Sequence, residues 1–318
     1  VIVSICIFLL GLAVLSWSAD RFVYGASALA KNVGISPMMI GLTIVAMGSS
    51  APEIVVSAIA SANGNMNTAV GNALGSNITN IALVLGITAL VRPLVVSSTT
   101  LKREFPVLLL VTVLAMFFLN NGSLSHIEGM ILMGLFMFVL AGMAWISLQV
   151  DKEDPLVAET DGEIPTGVNT SSAVLWVGVG IILLPLSAHF MVGAAVDIAH
   201  YFGVSDLVIG LTIIALGTSL PELAASIAGV LKGESDLALG NIIGSNIFNL
   251  LAVLGMPGLI APGLLDDNVF NRDMWVMFAL TVLLFFLSFN FIGKRQLGRL
   301  EGGIFVTCFI AYQFWLFG

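Results

Sequence analysis

Charge is what this chain lacks. Only 9% of its 318 residues are Asp, Glu, Lys or Arg, against 58% that are apolar, whereas about a quarter of a soluble domain is charged. So little charge cannot solvate an ordinary soluble surface, and composition alone points to a lipid bilayer as the medium around the protein. Cysteine is nearly absent: Cys6 and Cys308 both fall in apolar segments, where Cys acts as a small hydrophobe, so a disulfide framework is excluded. With two Cys and three His the sequence shows no cluster suited to zinc, copper or iron. It has no basic stripe, which excludes nucleic acid as a partner. The net charge of -8 does not mark an acidic surface either, because Asp151, Glu153, Asp154, Glu159, Asp161 and Glu163 crowd into one short loop.

Long apolar runs are abundant. A spanning helix needs about 20 mainly apolar residues, and ten such runs are read at roughly 2–28, 36–62, 67–90, 103–119, 125–148, 172–197, 206–231, 235–260, 273–291 and 300–317. The runs are apolar on all sides, unlike the short alternating strands of a barrel, so an all-α membrane protein with ten transmembrane helices is expected. Residues 1–16 resemble the apolar part of a signal peptide, but the pattern recurs throughout, and a first spanning helix is the better reading. Lys and Arg set the orientation. Lys31, Arg92, Lys102, Arg103, Lys152, Lys232, Lys294, Arg295 and Arg299 fall on one side and only Arg272 on the other, with Arg21 inside the first span. That bias places both termini outside and the 149–171 loop in the cytoplasm of a multi-pass cell-membrane protein. The loop, with Pro155, Pro165 and six acids, reads as a flexible linker; its acids do not have the spacing of an EF-hand.

The chain repeats itself. Residues 41–53 read GLTIVAMGSSAPE and 210–222 read GLTIIALGTSLPE, identical at nine of thirteen positions; 71–80 read GNALGSNITN and 240–249 read GNIIGSNIFN, identical at seven of ten. Both pairs share an offset of 169 residues, and Arg103-Glu104 against Arg272-Asp273 keeps it. The chain therefore divides into a first five-helix repeat, 1–148, the acidic linker, 149–171, and a second five-helix repeat, 172–318. Five spans is an odd number, so the second repeat enters the membrane inverted, an architecture of transporters rather than channels.

Each repeat carries one acid near mid-span, Glu53 and Glu222. An intramembrane carboxylate costs several kcal/mol unless compensated and is functional by default. No Lys or Arg is close to either in sequence, so the pair calls for a cation or protons; the plain alternative is two protonated, hydrogen-bonding glutamates. Gly48, Ser49, Ser50 and Pro52 precede Glu53, and Gly217, Thr218, Ser219 and Pro221 precede Glu222. Proline and glycine weaken the helix here, so carbonyls near Ala46 to Ser49 are expected to be released from helical bonding beside the hydroxyls. Interrupted backbone at this depth persists only against protein or a water-filled cavity. In the second repeated segment, Gly71 and Gly75 suit close helix packing. Asn72, Asn77 and Asn80 instead suggest a polar cavity. Ser76 and Asn80 share a helix face, as do Ser245 and Asn249. All these donors are hard oxygens, which suits Ca2+, and Na+ accepts the same donors.

These duplicated segments resemble the two α-repeats of the sodium/calcium exchangers, and most of all the prokaryotic calcium/sodium antiporters of the cation/calcium exchanger superfamily. The resemblance implies ten helices in which the second, third, seventh and eighth form a four-helix ion-binding core and the first and sixth a sliding gate. By position it places the central acids on Glu53 and Glu222, hydroxyl ligands on Ser49, Ser50, Thr218 and Ser219, backbone carbonyl ligands on Ala46 and Ala215, and the remaining ligands on Ser76, Asn80, Ser245 and Asn249. Asn249 stands where several relatives, including potassium-dependent exchangers, have Asp, which argues against potassium cotransport. The implied activity is secondary active antiport of Ca2+ against Na+ by alternating access, with no cofactor and no obligatory protein partner.

Proton-coupled calcium antiport is the alternative, although Asn72 is followed by Ala73-Leu74-Gly75 and not by the G-N-x-x-E context usual for that branch. A channel would not need two inverted repeats. An intramembrane enzyme would need His126, His189 or His200 as a base or Ser50 or Ser219 as a nucleophile; the histidines read as interfacial or packing residues, and neither serine lies in a G-x-S-x-G elbow. Asp20 and Asp197 read as interface anchors near span ends.

Overall fold

A computed structural model describes all residues except 36, 41, 42, 45, 97–103, 150–164, 233, 234, 290–295 and 318. Most of the acidic linker, and Lys102, Arg103, Lys152, Lys294 and Arg295 of the charge count, therefore lie outside the described residues.

The protein is helical throughout. Helix α1 spans Ile2–Asn32; α2, Pro37–Ile40, α3, Ala46–Ser49, and α4, Ala51–Ala62, follow as pieces of one path. Helix α5 is Met66–Val91, α6 Phe105–Leu119, α7 His126–Gln149 and α8 Thr170–Phe202. Helices α9, Asp206–Thr218, and α10, Leu220–Lys232, form a second broken path. Ser235–Phe248, Asn249–Val253 and Leu254–Ile260 run on as α11, and α12, Val269–Ser288, and α13, Arg299–Phe317, complete the chain.

Local signals explain several ends. Ser125 and Glu128 close a reciprocal capping box, with the Ser125 amide donating to Glu128 at 2.7 Å and the Glu128 amide donating to the Ser125 hydroxyl at 3.3 Å. Asn169 caps α8 by accepting from the Ser172 amide at 2.7 Å. Gly203 ends α8 at φ 67°, a left-handed conformation that costs glycine nothing.

Among the described residues seven helices are long and apolar enough to cross a bilayer, or eight if the bent pair α9–α10 counts as one. The segments α4 and α6 occupy two further places where spans are expected, but with 12 and 15 residues they fall short of that length. At the other extreme, α1 and α8 have 31 and 33 residues, so about 46–50 Å of helix must tilt in, or protrude from, a core about 30 Å thick. Asp20 consequently sits inside α1 and not at its end, while Asp197 lies in the penultimate turn of α8.

Burial identifies the centre. Of the spanning windows, 78% of that in α5 and 83% of that in α11 are buried, against 17–44% elsewhere. Helices α4, α9 and α10 pack on these two, α1 and α8 pair along their lengths to one side, and α6, α7, α12 and α13 surround the rest. Each half reaches into the other. The C-terminal part of α5 packs on α13 and that of α11 on α7. Two short antiparallel ladders do the same, Leu94–Val95 with Gln296–Leu297 and Ser123–Leu124 with Gly263–Leu264.

Candidate cation site

The repeated motifs break their helices at equivalent residues. Ser50 separates α3 from α4 with φ -90° and ψ 5°, and Ser219 separates α9 from α10 with φ -86° and ψ 1°. The second break bends the path by 41°. Pro52 and Pro221 lie in the first turn after each break, where a missing N–H costs nothing because that turn has no helical acceptor to serve. Glu53 and Glu222 are therefore first-turn residues of α4 and α10, at helix ends whose macrodipole favours a negative charge.

Both acids are fully buried. Their carboxyl groups lie close enough to interact electrostatically, with the Thr218 hydroxyl beside Glu53 and the Ser245 hydroxyl beside Glu222. Neither hydroxyl completes a hydrogen bond to its carboxyl group, and all four carboxylate oxygens are buried without a partner among the described residues. A buried polar atom left unpaired costs about 1–3 kcal/mol, and more when charged. The Ser50, Ser76 and Ser219 hydroxyls, the Asn80 side-chain carbonyl and both polar atoms of Asn249 are also buried and unpartnered. These unmet oxygens come from four helical paths, α3–α4, α5, α9–α10 and α11, and none has a hydrogen-bond partner among the described residues.

The remaining contacts tie the two halves together. Asn72 donates to the Glu53 backbone carbonyl at 3.1 Å and accepts from Thr218 at 3.4 Å. The hydroxyls of Ser49 and Ser245 are 3.4 Å apart. Asn77 donates to the backbone carbonyl of Asn246, its own equivalent 169 residues on, at 3.3 Å, and Asn80 donates to the Asn246 side chain at 3.2 Å. A contact between equivalent residues places Asn77 and Asn246 at the junction of the two repeats, a role that the motif in isolation does not reveal. Near Asn80 and Asn249 the helices widen into π-turns, Thr79–Val84 and Asn249–Val253; such turns are frequent at functional sites.

Two expectations are refined. The Ala215 carbonyl is not released: it accepts the Ser219 amide at 3.1 Å and the Thr218 hydroxyl at 3.4 Å. The first is the ordinary helical bond to the residue four back, so the helix stays bonded up to the break and this oxygen is already occupied here. The glycines also divide. A Cβ on Gly71 would lie 2.7 Å from the Leu207 carbonyl, and one on Gly75 2.7 Å from the Leu211 Cα, so α5 and α9 touch backbone to backbone. A Cβ on the equivalent Gly244 would meet nothing within 4 Å among the described residues. Leu42, the counterpart of Leu211, lies outside the described residues, so the close backbone contact is seen for the first copy of the glycine alone.

A family model described as sodium/calcium exchanger protein matches residues 3–145 and 172–318, both halves and not the linker. This chain belongs to the sodium/calcium exchanger family. It is 55% identical over 316 residues to the putative antiporter CaxA of Alkalimonas amylolytica, covering 99% of each chain. It is 31% identical over 359 residues to the sodium/calcium exchanger MaX1 of Methanosarcina acetivorans, again over 99% of each. The solved structure of the sodium-calcium exchanger NCX_Mj soaked with Na+ and Sr2+ superposes with a TM-score of 0.64 at 32% identity, covering 98% of this chain and 97% of that one. As an exchanger the protein is a multi-pass membrane cation antiporter, and its two duplicated motifs are the segments that converge on the buried acids.

Proposed function

We propose that this exchanger carries Ca2+ against Na+ by alternating access, through a site held between Glu53 and Glu222. One observation carries the reading: two fully buried carboxyl groups, one from each repeat, within electrostatic reach of each other and, among the described residues, with no partner on any of their four oxygens. Two carboxylates balance one divalent ion or two monovalent ones, so Ca2+ and Na+ compete for the same oxygens. Ser49, Ser50, Ser76, Asn80, Thr218, Ser219, Ser245 and Asn249 complete the donor set, and the carbonyls of Ala46 and Ala215 contribute when the breaks relax. Carboxylate, hydroxyl and amide oxygens in flexible geometry suit Ca2+.

Alternating access is supported by the duplication itself. Two repeats of nearly one sequence, inverted relative to each other, can exchange packings, which moves the opening from one face to the other. Ion occupancy then biases a pre-existing equilibrium. On this reading the ten helical paths are two inverted five-helix repeats, with both termini outside and the linker cytoplasmic.

Proteoliposomes loaded with Na+, with K+, or with a proton gradient and neither ion, are tested for radiolabelled Ca2+ uptake. Uptake is expected only with internal Na+, and Glu53→Gln or Glu222→Gln abolishes it in protein that still elutes as a folded species. Uptake driven equally by the proton gradient would replace this reading by Ca2+/H+ antiport. Uptake without any counter-gradient would indicate a channel.

A further inference from the structure

The seam between α1 and α8 carries a feature outside the ion site. The two helices run antiparallel, and on their outer surface lies a groove of about 350 Å³ walled by Ile7, Leu10 and Val14 of α1 and Leu183, Leu186 and Phe190 of α8. Gly11 makes its floor, since a Cβ there would lie 3.0 Å from the Met191 Cβ and the helices are in close contact beneath. The walls are apolar and exposed: Leu10 is 67% exposed and Phe190 55%. On a membrane-spanning pair, that exposure is to lipid.

The groove does not end in hydrocarbon. Ile7, Leu10, Val14, Trp17 and Arg21 follow one another at spacings of three and four, and so lie along one helix face. Trp17 meets Trp176 edge to face with ring centroids 6.0 Å apart. The Arg21 guanidinium lies over the rings of Trp176 and Tyr24, 5.4 and 5.6 Å from their centroids. Its acidic neighbour, Asp20, is 3.6 Å away and mostly exposed, too loose a pair to neutralise the charge. The 20 residues from Ile2 to Arg21 make about 30 Å of helix, the thickness of the hydrocarbon core, which stands Arg21 at its edge with Phe22–Asn32 protruding. From Arg21 the groove begins about 10 Å along the helix at Val14 and ends about 21 Å along it at Ile7, on the path of an acyl chain that enters at that edge.

We propose that a glycerophospholipid of the leaflet at the Asn32 end of α1 binds this seam, its phosphate on Arg21 and one acyl chain along the groove. The guanidinium fork matches a phosphate geometrically, and the tryptophan pair sits where interfacial aromatics collect. Charge complementarity and the length of the apolar track together select a phospholipid over a protein helix, which would leave Arg21 without a counter-ion, and over a free anion, which would leave the groove uncovered.

Native mass spectrometry of the whole protein in detergent, titrated with palmitoyl-oleoyl phosphatidylglycerol, tests this. One lipid per chain is expected to be retained. Arg21→Gln should weaken retention at least tenfold, while Arg21→Lys keeps most of it. Val14→Trp, an exposed position, should block the groove without touching the core and keeps the test alive if Arg21→Gln fails to fold. Phe138→Ala, on the lipid face of α7, should change nothing. Dioleoylglycerol, which lacks the phosphate, should bind at least tenfold more weakly, and inorganic phosphate at millimolar concentration should not displace the lipid. Wild-type retention by both Arg21→Gln and Val14→Trp, or equal binding of dioleoylglycerol, would overturn the proposal. The readout is binding and not exchange, so it stands or falls separately from the transport reading.

Discussion

Replacing Gly75 and Gly244 by alanine asks whether identical motifs sit in different packings. Both glycines stand before Ser-Asn-Ile in the duplicated segment. At Gly75 the new methyl would lie 2.7 Å from the Leu211 Cα, 2.8 Å from the Leu211 carbonyl oxygen and 2.8 Å from the Ala215 Cβ. Two of those three are backbone atoms of a packed helix and cannot swing aside, so α5 and α9 must separate. Overpacking of this kind costs about 1–3 kcal/mol, of which the better helix propensity of alanine returns up to about 1. At Gly244 no described atom lies within 4 Å, with Leu42, the counterpart of Leu211, outside the described residues; with the site open, only the propensity gain remains. Gly75→Ala is therefore expected to be destabilised by about 1–2 kcal/mol and Gly244→Ala to be neutral or stabilised by up to about 1. The difference, about 2 kcal/mol, is roughly thirtyfold in an unfolding equilibrium. Reversible unfolding of the purified protein in mixed micelles measures it. If exchange swaps the two packings, Gly244→Ala should also slow Ca2+ uptake despite its stability, because the methyl obstructs the state in which α11 closes. Equal stabilities for the two variants would refute the asymmetric packing, and unimpaired uptake by Gly244→Ala would refute the swap.

Other expectations concern single contacts. Asp273 is buried, paired with Arg272 at 2.7 Å and accepts a hydrogen bond from the Tyr312 hydroxyl at 2.9 Å; Asp273→Asn strands the Arg272 charge and should cost about 3–5 kcal/mol in detergent unfolding. Tyr312→Phe removes only the hydrogen bond to a charged acceptor and should cost about 1.5–3 kcal/mol in the same assay. Asn72→Ala should leave the protein folded but reduce Na+-dependent Ca2+ uptake, since Asn72 bridges the Glu53 backbone and Thr218; unchanged uptake would remove it from the site. Ser125→Ala should cost about 1 kcal/mol by opening the capping box of α7, with no effect on ion affinity.

Much of the candidate site is legible because it is written twice. Two acids in apolar runs without basic neighbours point to a cation site on physical grounds, and the repeated hydroxyls and amides around them are the proposed donors. The structure brings Glu53, Thr218, Asn72, Glu222 and Ser245 into one buried region, as the repeat suggests. The Asp273–Tyr312 contact was not legible, because the partners lie 39 residues apart and only Arg272-Asp273 was read, as a weak echo of the repeat. Proline near a glycine and hydroxyls forecasts the interruption at Ser219, but that the Ala215 carbonyl before it keeps its helical bond depends on the helices packed around it.

Apolarity, its segmentation and the 169-residue duplication are properties of the chain, set by what the bilayer tolerates and by descent from one repeat, and they determined by themselves that this is a membrane protein with a pair of central carboxylates. How closely Gly75 meets Leu211, where Asn77 meets Asn246, and how the α1–α8 seam aligns Arg21 with an apolar groove were decided only by tertiary structure. The physical reason is that identical local sequences carry identical propensities, and only the packing of one helix against another can make two copies of the same motif differ.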